Sequence, residues 1–191
     1  MKDKVSIKKE YVLNAYNHAS EEQKALLESM FGKDMFKPKN IIERVKTFED
    51  ACEVLGEEHP YVQEYRGVAN INFDFTQDII AYLKLRIICA SLNEGWKPTF
   101  DGSRCRYYPW FYIYTKEEYK KLNKDEKKKC RVVSRSSNYA NAYGGVVYSY
   151  ALGASSVSHT HVGSRIVFKT RELAEYCEKQ FIDIWEDYLF A

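Results

Sequence analysis

The chain has 191 residues, 45% hydrophobic and 29% charged, which supports one substantial core and is too apolar for a charge-driven disordered tract. Lys and Arg total 29 against 27 Asp and Glu, and this net of +2 gives no bulk electrostatic case for nucleic acid or an anionic membrane. The longest apolar run, Ile79–Leu92, is interrupted by Lys84 and Arg86, so no membrane insertion is expected; the opening MKDKVSIKKEYVLN holds no secretory h-region, which predicts a cytoplasmic protein.

In chain order, Ser20 with Gln23 three residues on reads as a capping box, opening a helix through Leu26, Leu27 and Met30 that stops at Gly32. A second helix is predicted over Ile41–Leu55, with Ile41, Val45, Phe48, Cys52 and Leu55 on one stripe and Gly56 after it. His59-Pro60 to Asp74 reads as irregular. The first 75 residues thus form a small helical N-terminal region, and the main domain is expected over 76–191.

Thr76 is placed to cap a helix over Gln77–Asn93, ended by Gly95. Its apolar positions nearly encircle it, leaving a narrow polar strip with Gln77, Lys84 and Ser91, which marks a central helix. The aromatic run Arg106–Tyr114 favours a strand, with Pro109 requiring an edge or a bulge. Thr115 and Glu118 fit a capping box at the head of a charged helix to Lys129, whose interleaved acids make it a solvated excursion rather than a nucleic-acid patch. Cys130–Arg135 and Gly163–Lys169 read as strands. Thr170 then caps a C-terminal helix, 171–190, with Leu173, Cys177, Phe181, Ile184 and Tyr188 on one face. The fold class predicted is α+β, a mixed domain of short strands with two major helices.

Cys52, Cys89, Cys105, Cys130 and Cys177 are odd in number and have no C-x-x-C spacing, so reduced structural thiols are expected, with Cys89 and Cys177 as small buried hydrophobes.

One segment departs from the rest. Ser136–Ser164 runs for 29 residues without Lys, Arg, Asp or Glu, where the chain's own composition predicts about eight. Its four tyrosines among Ser, Gly and Asn match the chemistry of binding loops, where Tyr gives broad amphipathic contact and small polar residues adapt their hydrogen bonds. The competing reading is a Gly- and Ser-rich cover over the core. Tyr139, Asn141 and Tyr143 alternate, as do Tyr148 and Tyr150, and alternation places each set on one face of an extended strand. The candidate ligand-binding residues are Asn138, Tyr139, Asn141, Tyr143, Tyr148, Tyr150, Ser158, His159 and His161.

The helix ending Leu92-Asn93-Glu94-Gly95-Trp96, the block Tyr107-Tyr108-Pro109-Trp110-Phe111 and the closing Gly163-Ser164-Arg165-Ile166-Val167-Phe168 together resemble uncharacterised phage- and prophage-associated proteins of gut bacteria. The uncharged stretch and its closing strand resemble the ligand face of C-type-lectin-like domains of the formylglycine-generating-enzyme type, which include proteins diversified by retroelements. That family's closing strand usually reads Gly-Phe-Arg; here Ser164 stands in place of the aromatic. Over Thr76–Lys169 the resemblance implies receptor or ligand binding without catalysis, with variable positions in Ser137–His161, and a virion component if the protein is phage-borne.

His159-Thr160-His161 is half of a metal site if extended, and otherwise a pair of surface histidines; no metal or other cofactor is assigned. Gly144-Gly145 lacks both phosphate-loop patterns, and Asp74, Asp78 and Glu94 show no paired spacing for acid–base work. Arg104, Arg106, Tyr107, Tyr108, Trp110 and Tyr112 interleave cations with aromatics, as a stacking face for a nucleotide or a strand packed on the central helix.

The leading reading is a non-enzymatic recognition protein with a protein or glycan ligand, for which a flat tyrosine surface is expected. The alternative is a small-molecule or nucleotide binder, metal-assisted or not, with a concave site uniting His159, His161 and Arg106. A virion structural role, with self-association through the terminal helices into a homo-oligomer, is the third.

Overall fold

The computed structural model describes residues 6–71, 77–99, 105–129, 146–155 and 166–190. The chain divides into two compact units, Met1–Arg44 and Val45–Ala191. The sequence pattern places the boundary at 75/76, whereas the helices of 48–69 pack on the central helix and belong to the larger unit.

The smaller unit holds α1 (Lys9–Asn17), α2 (Glu21–Phe31), a 3-10 turn at Lys33–Met35 and α3 (Ile41–Arg44). The predicted capping box opens α2: the Gln23 N–H donates to Ser20 Oγ, and the Ser20 N–H to Gln23 Oε1. Gly32, with φ of +82°, ends the helix in the left-handed region where a Cβ is disfavoured. The Tyr16 and Phe36 rings stack at 4.1 Å, and the Tyr16 hydroxyl donates to Glu28.

In the larger unit the expected helix Ile41–Leu55 is broken, and α4 covers only Phe48–Leu55. Thr47 competes with helix continuation: its hydroxyl accepts from the Asp50 N–H, while the Asp50 carboxylate accepts from the N–H groups of Lys46 and Thr47. The stretch expected to be irregular contains α5 (Pro60–Ala69), with His59 as N-cap and Pro60 in the first turn, where its missing N–H costs nothing.

Helix α6 (Gln77–Asn93) matches the predicted span and is the centre of the unit, packed by α4, α5 and a C-terminal helix, with Leu83, Leu85, Ile87, Ile88 and Leu92 buried. The cap expected at Thr76 lies outside the described residues. Two details of the predicted polar strip differ. Ser91 is buried, its hydroxyl donating to the Ile88 carbonyl, and Ile79 is exposed.

Strand β1 (Cys105–Ile113) is followed by α7 (Lys116–Lys121) and α8 (Lys124–Lys129), so the one charged helix expected is two. Thr115 caps the first as predicted, and Asn123 caps the second by accepting from the N–H groups of Asp125 and Glu126. Strand β2 (Val146–Ser155) pairs antiparallel with β1, with a bulge after Trp110, beside Pro109. The strand expected over 163–169 is, at its described residues, one antiparallel bridge of Phe168 to Tyr107. The strand candidate 130–135 lies outside the described residues.

The C-terminal helix is capped at Thr170 as predicted but is interrupted at Phe181, giving α9 (Arg171–Gln180) and α10 (Ile182–Phe190). Leu173, Ala174, Cys177, Phe181 and Trp185 are buried. The Tyr176 hydroxyl and the Gln180 amide donate to the carbonyls of Val45 and Lys46, fixing the chain just before α4. The architecture is α+β, dominated by helices, and the described sheet is β1–β2. No helix among the described residues is long and apolar enough to cross a membrane.

Candidate functional site

Of the uncharged segment 136–164, the described residues are those of β2. Its backbone pairs with β1 from Cys105 opposite Ser155 to Ile113 opposite Val146. β1 is in turn held by the core: Tyr108 is buried, Arg106 is 2% exposed, and the Phe111 ring lies 5.2 Å from that of Trp185. Helix α9 packs against both strands.

Of the nine candidate residues, the structure places two. Tyr148 sits opposite Phe111, and Tyr150 opposite Trp110. Ser149 between them has no partner in the register, because the bulge falls there. A bulge of this kind sets two residues of one strand opposite one of its partner. Asn138, Tyr139, Asn141, Tyr143, Ser158, His159 and His161 lie outside the described residues.

The ladder sets Val146 at the Ile113 end of β1 and Ser155 at the Cys105 end. Ten residues of β2 at about 3.3 Å each put its two ends roughly 30 Å apart. Phe168 pairs on the other edge of β1, the N–H and C=O of Tyr107 and Phe168 exchanging bonds of 3.0 and 2.7 Å.

That closing stretch is tied to the central helix as well. Asn93 ends α6, followed by Glu94 (φ 49°) and Gly95 (φ 80°), which turn the chain away. The Asn93 amide is buried, donating to the Val167 carbonyl at 2.8 Å and accepting from the Lys169 N–H at 3.0 Å. The Cys89 thiol donates to the same Val167 carbonyl at 3.0 Å. Burial pushes the Cys89 thiol well up, with the nearby Cys177 adding to it, and Cys177 itself is pushed up to about 12 by burial. Both stay protonated at neutral pH, which suits hydrogen bonding and packing and not nucleophilic attack. Cys52, Cys89, Cys105 and Cys177 are free thiols.

The interleaved block of cations and aromatics divides. Arg106 and Tyr108 turn inward and are buried, while Tyr107 and Trp110 are half-buried. Arg104 lies outside the described residues. Arg106 is buried, and of the concave site expected from His159, His161 and Arg106 the two histidines lie outside the described residues. Among the described residues, no three His, Cys, Asp or Glu side chains gather to hold a metal ion.

Sequence reasoning overlooked the turn at His59–Tyr61 and its approach to the end of α6. The readable signal was Pro60, which suits the first turn of a helix better than a loop interior. No protein-family model, curated protein or solved structure matches the chain.

Proposed function

We propose that the chain is a non-enzymatic recognition protein whose uncharged Tyr/Ser/Asn/His segment binds a protein or glycan ligand. The observation that carries this reading is the mounting of the segment. Its middle, β2, is paired along its length with a strand anchored in the core, and binding loops work best on such a rigid base. A C-type-lectin-like arrangement in a phage or mobile-element protein, cytoplasmic when made and carried on a virion, is the finer form of this proposal. It rests on the resemblance of the blocks around Trp96, Trp110 and Ile166 and is compatible with an α+β unit.

A surface without charges binds through aromatic contact and neutral hydrogen bonds, so its affinity varies little with salt. The test uses fluorescently labelled protein on intact gut-bacterial cells, untreated, protease-treated and periodate-treated. The wild type is expected to bind one class of surface, with loss on one treatment and retention in about 0.5 M NaCl. A variant with Tyr139, Tyr143, Tyr148 and Tyr150 changed to alanine is expected to lose that binding. Equal binding by the variant, or its abolition by salt, would overturn the proposal.

A further inference from the structure

We propose that the larger unit carries a second site, a cleft between the start of α5 and the end of α6 that takes a planar aromatic anion. The cleft has a volume of about 550 Å³, within the range of small-ligand pockets. Its walls are the rings of His59, Tyr61 and Trp96 with Pro60 and Pro98, and its rear is formed by Cys89, Asn93 and Val167.

The walls are held in place independently of any ligand. Tyr61 lies under the Arg86 guanidinium, 4.0 Å from its ring centroid, and Arg86 is fixed by Glu64 at 2.6 Å. His59 meets Tyr61 edge-on at 5.1 Å, and its Nδ1 accepts from the Tyr61 N–H at 3.2 Å. That bond places the proton of the neutral imidazole on Nε2, as a donor. Trp96 follows the left-handed pair Glu94–Gly95, and its backbone N–H donates to the Asn93 carbonyl.

Counting donors and acceptors defines the ligand. The buried polar groups at the rear satisfy one another: the Asn93 amide uses its nitrogen on Val167 and its oxygen on Lys169, and the Cys89 thiol shares the Val167 carbonyl. What remains without a side-chain partner among the described residues is a set of donors: His59 Nε2, the Trp96 indole N–H, the Tyr61 hydroxyl and the exposed Lys97 ammonium. Among the described residues, no Asp or Glu lines the cleft. Aromatic walls with unspent donors and a cation at the rim match a flat ring bearing a carboxylate or similar acceptor.

The test is calorimetric titration of the full chain with 2-naphthoate and, separately, with uncharged 2-naphthamide. The expected result is saturable one-to-one binding of naphthoate and weaker binding of the amide. Trp96→Leu is expected to weaken naphthoate by at least about fivefold through lost stacking. Lys97→Gln, on an exposed residue that leaves folding intact, is expected to cost about two- to fivefold for naphthoate and nothing for the amide. The tyrosine variant of the recognition segment should bind naphthoate like the wild type, which keeps the two proposals separately testable. Absence of saturable binding, an amide that binds as tightly as the acid, or a Lys97→Gln variant indistinguishable from wild type would each overturn the assignment.

Discussion

Two buried polar residues do more than fill space. Asn93 satisfies a carbonyl and an N–H of the closing stretch at once, so its removal takes the acceptor from the Lys169 N–H and leaves the Val167 carbonyl with the weak Cys89 thiol alone. Asn93→Leu is expected to destabilise the protein by about 2–4 kcal/mol in urea denaturation and to speed amide exchange over Ile166–Lys169. Unchanged exchange there would mean the bridge to Tyr107 suffices alone. Glu178 is 1% exposed, and burial, the largest influence, pushes its carboxyl up to about 7, with Lys179 opposing and Glu175 adding. The folded state therefore keeps a proton that the unfolded state gives up near its ordinary value of 4.5. Stability is full below that value, falls as pH rises toward about 7, and stays reduced above it. The drop is on the order of 1–3 kcal/mol, and Glu178→Gln should flatten it in denaturation curves taken from pH 4 to 8. A wild-type curve already flat over that range would place the carboxylate in water.

At the scale of elements, aromatic rings and one guanidinium join the helices of the larger unit. Arg86 of α6 lies over Tyr61 of α5 at 4.0 Å and within 5.7 Å of Tyr82, which stacks on Tyr188 of α10; Tyr188 meets Trp185, and Trp185 meets Phe111 of β1. If the ion pair with Glu64 were what held α5 on α6, lysine would replace Arg86 without loss. Because the planar stack contributes too, Arg86→Lys is expected to cost about 1–2 kcal/mol, read from urea midpoints. Periodicity revealed the span of α6, since a helix apolar on nearly all sides has few alternatives. Caps were legible where Ser20, Thr115 and Thr170 precede a polar first turn. The break at Thr47 was hidden because the stripe from Ile41 to Leu55 continues across it, and a stripe records burial, not backbone continuity. α5 was hidden by its weak apolar pattern, Val62 being its one buried residue. The bulge at Ser149 leaves no mark in an alternating pattern, so the register of β2 on β1 was beyond reach.

For the whole molecule, the division at 44/45 has a physical consequence. The contacts that close the larger unit at its start, Tyr176 to Val45 and Gln180 to Lys46, lie wholly within it, as does the packing of α4, α5 and α10 on α6. The smaller unit has little to bury: α2 contributes no buried residue, and Leu26 and Met30 are 61% and 64% exposed. At 44 residues it sits near the lower limit of about 40 at which a chain without disulfides or metals folds alone. Composition could not show this, because apolar residues are shared by both units and only packing assigns them. A fragment of residues 45–191 is therefore expected to keep its near-UV circular dichroism and a single cooperative thermal transition within a few degrees of the full chain. The fragment 1–44 should show no cooperative transition. A 45–191 fragment without near-UV signal would mean that its core is completed by the first 44 residues. In that case the cleft and the β1–β2 scaffold would have to be studied only in the intact chain.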